Sequence, residues 1–173
     1  MLIIFTGNGK GKTTAALGCA MRALGHDKRV LMIQFIKSGQ ISGEHKLIER
    51  LKIENLRFKI IPAGKGFVKI LGDKIFFSAH KKAAQKALRL ADREVKSKKW
   101  DLIILDEINV AVNLKLIKTS DVLKILRRAS ADIILTGRSA PKIFIQKADL
   151  VTEMKEIKHP FQKGAAAKIG IEF

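Results

Sequence analysis

The sequence predicts an α/β domain in which a mainly parallel sheet is flanked by helices on both faces. Three observations predict it. Short apolar runs alternate with longer segments of helical period from Leu2 to Ile157, a glycine-rich turn joins the first run to the first helix, and acidic residues close the run Leu102 to Leu105. Alternation of this kind makes consecutive strands parallel and gathers the binding loops at their carboxyl ends. A length of 173 residues supplies one domain with a core that needs no staples, so residues 1–173 are read as a single unit.

Leu2 to Phe5 reads as a short buried strand, and residues 6–13 as the turn into a helix that runs to His26. Ala16, Cys19, Ala20 and Ala23 put small side chains on one stripe, so this helix packs closely on a sheet and Cys19 is a core residue rather than a nucleophile. Val30 to Ile36 is the second strand, followed by a loop over 37–43, a helix from near Glu44 and a third strand over 56–61. Pro62 to Ser78 holds Phe67, Phe76 and Phe77 without a sustained period, and an excursion of that length inside a compact domain points to a functional loop. Ala79 to Lys96 is an amphipathic helix with Ala83, Ala87, Ala91 and Val95 on one stripe, Ala84 and Leu88 beside it, and lysines opposite. The remainder reads as strand 101–105, helix 119–128, strand 132–135, a brief helix 141–147 and strand 150–157.

Thirty-four Lys and Arg against 16 Asp and Glu give a formal charge of +18, a balance that attracts polyanions. The cations run along the whole chain with only modest clusters at Lys81/Lys82 and Lys96/Lys98/Lys99. A solvated surface accounts for many of them, and nucleic acid is not the expected partner. The apolar runs are too short to span a bilayer. One cysteine excludes an internal disulfide, and Leu2 leads into the glycine turn rather than a secretory cleavage site, so the expected compartment is the cytoplasm. His26, His45, His80 and His159 lack metal-ligand spacing.

Gly7-Asn8-Gly9-Lys10-Gly11-Lys12-Thr13, set between a strand and a helix, is a phosphate-binding P-loop. Its successive N–H groups cradle phosphate oxygens, Lys12 brings charge, Thr13 brings a metal-facing hydroxyl, and Thr14 follows in the same turn. Thr6 stands where the strict pattern has glycine, but Gly7, Gly9 and Gly11 keep the backbone freedom. Asp106 and Glu107 follow an apolar strand, so one carboxylate can reach Mg²⁺, or Mn²⁺, while the other orders the site. Thr136-Gly137-Arg138 closes a later strand and puts an arginine where it meets phosphate or organises a neighbouring loop. Glu44 lies similarly after the second strand, with a site role and a surface ion pair both open to it. Lys10 and Lys37 are candidates for further phosphate contacts. These features specify a P-loop NTPase-like, RecA-like domain that binds ATP. From the residues alone the activity is open between a group-transfer enzyme, an ATPase acting on nucleic acid or a protein partner, and a nucleotide-dependent regulator. The retained Lys12, Thr13 and Asp106 argue against the last.

The chain resembles the P-loop family of ATP:corrinoid adenosyltransferases over nearly its whole length. The resemblance is carried by Thr6 to Ala16, the Gln34-Phe-Ile-Lys37 strand end with Gly43-Glu44, Leu105-Asp-Glu-Ile-Asn109, Thr136-Gly-Arg138, Ala148 to Glu153, Lys158-His159 and the terminal segment from Gly164. It implies transfer of the 5′-deoxyadenosyl group of ATP to a reduced Co(I) corrinoid with release of triphosphate, in adenosylcobalamin biosynthesis or salvage. It also implies catalytic roles for Lys12, Asp106, Glu107 and Arg138, a metal held by Thr13, Asp106 and Glu107, a homodimer, and a flavoprotein or other electron donor. Phe67, in the 62–78 loop, matches a family aromatic that lies beside the corrin and disfavours its lower axial ligand. The family's tryptophan two positions later is Lys69 here, which changes the packing expected on the corrinoid side. The amino-terminal helix that can cover the corrinoid in longer relatives has no counterpart before Leu2, so the expectation is open between cover by another loop or subunit and a more exposed corrinoid.

Overall fold

A computed structural model describes residues 1–38, 42–51, 57–70, 72–164 and 166–171. Its elements are β1 (Leu2–Thr6), α1 (Lys12–Leu24), β2 (Val30–Gln34), α2 (Gly43–Leu51), β3 (Phe58–Pro62), α3 (Phe77–Lys96), β4 (Leu102–Asp106), α4 (Ile108–Asn113), α5 (Thr119–Leu126), β5 (Asp132–Thr136), α6 (Lys142–Lys147) and β6 (Leu150–Glu153), with a 3₁₀ turn at Pro160–Lys163. The six strands form one parallel sheet in the order β3-β2-β4-β5-β1-β6. This is the parallel, P-loop NTPase-like sheet expected, and its order sets β5 between the P-loop strand β1 and the acidic strand β4.

The central strands are buried on both faces, as apolar runs without alternation require. Val30, Met32, Leu102, Ile104 and Ile134 meet Ala16 and Ala20 of α1, whose small side chains allow close approach. Leu31, Ile33, Ile103, Leu105, Ile133 and Leu135 point the other way, into a larger core with α3, α4, α5 and Phe144 of α6. Cys19 is half-buried against the α1 side of the sheet, the core position expected for it. On α3 the buried stripe is His80, Ala84, Ala87, Ala91 and Val95. Ala83, expected on that stripe, sits only at its half-buried edge.

Several elements differ from expectation, among them two helices that end early, α1 at Leu24 rather than His26 and α5 at Leu126 rather than residue 128. Strand β6 stops at Glu153 rather than residue 157, because its partner β1 ends at Thr6, the residue paired with Glu153, and turns into the P-loop. Strand β2 ends at Gln34 rather than Ile36; Phe35 and Ile36 bend away although both stay buried. The third strand runs 58–62, and Leu56, included in the expected strand, lies outside the described residues. Helix α4 was not expected at all. Its Ile-Asn-Val-Ala-Val-Asn sequence has weak helix propensity, but burial of Ile108, Asn109, Ala111 and Val112 against the core overrides it. No helix among the described residues is long and apolar enough to cross a membrane.

Candidate active site

The P-loop leaves the sheet between β5 and β6, and its glycines answer different demands. A Cβ on Gly7, at φ 93°, would meet the Met154 carbonyl oxygen at 2.4 Å, and one on Gly9 would meet Lys155 backbone at 2.8 Å. The Gly9 N–H donates to that Met154 oxygen at 2.7 Å, so the end of β6 presses directly on the loop. Gly11 has open space around it but a φ of 112°, a left-handed value that side chains resist, and it caps α1. Lys12 begins α1 and folds back over the loop, its Nζ donating to the carbonyls of Gly7 at 2.9 Å and Gly9 at 2.6 Å. Burial lowers its pKa, against the attraction of Glu107.

At the end of β4 the fully buried Asp106 accepts hydrogen bonds on Oδ1 from the Thr13 hydroxyl at 2.8 Å and the Thr136 hydroxyl at 2.7 Å. Its Oδ2 is buried without a partner among the described residues. Thr136 reaches Asp106 because β5 lies between β1 and β4, and its oxygen also accepts the Glu107 N–H at 2.9 Å. Burial raises the Asp106 pKa, against the two threonine hydroxyls and Lys37. Glu107, in a left-handed turn at φ 59°, is pushed up to about 7 by burial and by Asp106, with Lys12 and Arg138 opposing. The unexpected α4 organises the next loop: Asn109 Nδ2 donates to Gly137 O at 3.2 Å, and Asn113 Nδ2 donates to Arg138 O at 3.2 Å and Ser139 O at 2.6 Å. Arg138 itself is exposed at the rim, close enough to act electrostatically on Lys12 and Glu107, and Asn8, Lys10 and Thr14 are exposed there too.

A second cluster adjoins Asp106 through the register pair Gln34 and Asp106. Gln34 is fully buried and its Nε2 donates to Glu44 Oε1 at 3.2 Å, while Lys37 Nζ donates to the same oxygen at 2.8 Å. Burial would raise Glu44, but hydrogen bonds from Lys37, Ser42 and its own amide overcome that and hold it at about 2. Lys37, a candidate phosphate contact, is thus engaged by Glu44. Backbone bonds from Ala63 to Gln34, Gly64 to Lys37 and Gly66 to Ile36 pin the loop after β3 to this strand end. Phe67 follows and is 59% exposed. Lys69 Nζ lies 4.7 Å from the centroid of the Phe77 ring.

The structure therefore brings Lys12, Thr13, Asp106 and Glu107 together, sets Glu44 and Lys37 beside them and leaves Phe67 on a separate, exposed loop. Gln34, Asn109, Thr136 and Met154 were not expected as site residues; for Thr136 the signal was its place at a strand end, opening the Thr136-Gly137-Arg138 motif. Among the described residues no three or more His, Cys, Asp or Glu side chains gather as a metal centre. The hard oxygen set of Thr13 and Asp106, with one buried carboxylate oxygen unpartnered, nevertheless suits a cation that shares its coordination with phosphate and water.

Among solved structures the chain is similar to the flagellar accessory protein FlaH of Methanocaldococcus jannaschii, with a TM-score of 0.60 and 14% identity over 88% of this chain and 69% of that one. It is also similar to a KaiC-like protein of Pyrococcus horikoshii, with a TM-score of 0.53 and 19% identity over 91% of this chain and 73% of that one. At such identities the likeness concerns the fold. Sequence comparison is more specific. The family described as ATP:corrinoid adenosyltransferase BtuR/CobO/CobP matches residues 1–173. Corrinoid adenosyltransferases of Pseudomonas aeruginosa, Sinorhizobium and Escherichia coli K12 are 37%, 36% and 34% identical over the whole of this chain and 83%, 80% and 85% of their own lengths. With the family model and these relatives each matching the whole of the chain, it belongs to the ATP:corrinoid adenosyltransferase family.

Proposed function

We propose that the P-loop and the Asp106 cluster hold ATP so that its triphosphate is the leaving group when the adenosyl group passes to a corrinoid, the reaction of this family. The observation that carries the reading is the meeting of Lys12, Thr13 and the half-satisfied Asp106 at one loop mouth. Reduced cobalt attacks C5′ of ATP; a cobalt–carbon bond forms, the C5′–O bond breaks, and its electron pair leaves with triphosphate. No covalent nucleophile is required of the protein, whose task is alignment and stabilisation of the departing charge.

Lys12 exchanges its two carbonyl partners for phosphate oxygens, and the amides of the loop and first turn of α1 supply further donors. Mg²⁺ or Mn²⁺, held by Thr13 and Asp106, would neutralise charge on the triphosphate. Glu107 orders the Asp106 end of the site, and Arg138 faces the phosphates from the rim. Glu44 and Lys37 form the wall between this half and the 63–76 loop, where Phe67 packs against the corrin. We extend the reading to a cytoplasmic homodimer supplied with electrons by a flavoprotein or other donor, supported by family membership alone.

The test is an anaerobic incubation of the protein with ATP, Mg²⁺ and chemically reduced cobalamin. Formation of the cobalt–carbon product with stoichiometric triphosphate is expected. Release of ADP and phosphate alone, stimulated by DNA or RNA, would favour an ATPase using the basic surface.

A further inference from the structure

The loop between β3 and α3 reverses the usual order of side chains. Phe67, Ile70, Ile75 and Phe76 are 59%, 57%, 41% and 84% exposed, whereas the side chains of Asp73 and His80 are only 6% and 2% exposed. Apolar burial holds this loop through Val68, and a polar centre holds the rest. Asp73 Oδ2 accepts the Lys69 N–H at 2.8 Å, Asp73 Oδ1 accepts the Ile75 N–H at 2.9 Å, and His80 Nε2 lies 3.2 and 3.1 Å from the two oxygens. The two amides, foremost that of Lys69, hold the Asp73 carboxyl below its ordinary value, so it is a carboxylate and the imidazole is the donor. His80 sits in the first turn of α3, a rigid helix buried along Ala84, Ala87 and Ala91.

The bond to Lys69 has a particular consequence. Lys69 stands at φ 58°, a left-handed conformation that a lysine resists and that persists only when its surroundings impose it. Asp73 is the single acidic residue between Pro62 and Ser78, and it is spent inside the loop. What the loop turns outward is therefore apolar rings and aliphatic chains with the exposed Lys65, Lys69 and Lys74. Among the described residues, the side-chain hydrogen bonds of Asp73 and His80 run to Lys69, Ile75 and each other, all within this loop and the start of α3.

We propose that Asp73 and His80 are positioning residues for the corrinoid: together they lock Lys69 and Ile75 to α3 and so fix the exposed apolar surface, Phe67 included, on which the corrin ring rests. The inference rests on the reading that this loop meets the corrinoid. It separates the two substrates, because the lock touches the corrinoid side and leaves the ATP side alone.

The experiment compares His80→Ala, His80→Gln, Asp73→Asn and Phe67→Ala in the full chain with chemically reduced cobalamin and MgATP, each varied at saturation of the other. His80→Ala and Asp73→Asn are expected to raise the KM for cobalamin about tenfold, the effect of losing one charged hydrogen bond, with the KM for ATP changed less than about twofold. His80→Gln, which keeps a donor, is expected to recover most of the loss. Limited trypsin digestion should cut His80→Ala faster at Lys65, Lys69 or Lys74 than wild type, independently of turnover. Unchanged cobalamin KM and cleavage in folded His80→Ala and Asp73→Asn overturn the proposal, as does a parallel loss of both substrates without recovery in His80→Gln. If His80→Ala does not fold, the Asp73→Asn and His80→Gln pair decides by the same criteria. Phe67→Ala tells the two layers apart: no effect on cobalamin removes the corrinoid reading of the loop, whereas a selective effect there with inert Asp73 and His80 variants removes the lock alone.

Discussion

Glu107 is held up to about 7 by burial and by the neighbouring Asp106, so between its ordinary value of 4.5 and 7 the folded chain keeps a proton that the unfolded chain has released. Stability therefore falls as pH rises through that window, and Asp106, also raised, adds in the same direction. Glu107→Gln is expected to flatten the profile and to exceed wild type at pH 8 by roughly 3 kcal/mol, read from thermal or urea unfolding between about pH 5 and 8. Parallel profiles for the two proteins would show that the Glu107 carboxyl is not raised in this way. Lys12→Ala loses charged hydrogen bonds to phosphate, and its MgATP affinity is expected to fall about 10- to 100-fold by calorimetry while circular dichroism stays native. Wild-type affinity in the folded variant would remove Lys12 from the nucleotide site. Lys12, Thr13, Asp106 and Glu107 were legible in the sequence because each motif does its chemistry within a few consecutive residues. Thr136 and Gln34 were not, since their contacts depend on which strands are neighbours.

The glycines of the P-loop separate two reasons for keeping a position free of a side chain, and the end of β6 supplies the second. Gly7→Ala would drive a Cβ to 2.4 Å from the Met154 carbonyl oxygen, backbone that cannot yield without lifting β6 from β1. Its expected cost is about 3 kcal/mol or more. Gly11→Ala meets no atom within 4 Å and carries only the strain of φ 112°, about 1 kcal/mol. Urea unfolding of the two variants without nucleotide checks the order; equal losses would mean that Met154 does not press on the loop. This contact also marks a limit of the sequence. The run 150–157 reads as one strand because nothing local tells that β1 stops pairing at Glu153. Helix α4 was hidden for the opposite reason, its β-branched residues and asparagines favouring other structures until burial and the bonds to Gly137, Arg138 and Ser139 decide. Long periodic segments such as α3, and the strand runs, were legible because the same pattern that sets their type also sets the face they bury.

Across the whole molecule the parallel order puts β1, β5 and β4 side by side, so three loops distant in sequence open at one edge, the edge proposed above to hold the triphosphate. The net charge of +18 acts on that edge and on the fold together. A chain of this length has a radius of gyration of about 16 Å when folded. The screening length is about 30 Å at 10 mM salt and about 8 Å at 150 mM, so repulsion among the cations reaches across the molecule in the first case and between neighbours in the second. Surface pairs such as Arg29 with Asp101 and Lys96 with Asp92 oppose this trend, since salt weakens them, but exposed pairs contribute little each. Repulsion therefore outweighs them, and the Tm without nucleotide is expected to rise by several degrees between about 10 and 150 mM sodium chloride. Anion binding in the P-loop would raise Tm as well. Lys12→Ala distinguishes the two causes: a rise of the same size in the variant belongs to the charge of the whole chain, and a rise confined to wild type belongs to the loop. A flat or falling Tm in both proteins would show that the local ion pairs outweigh the net charge.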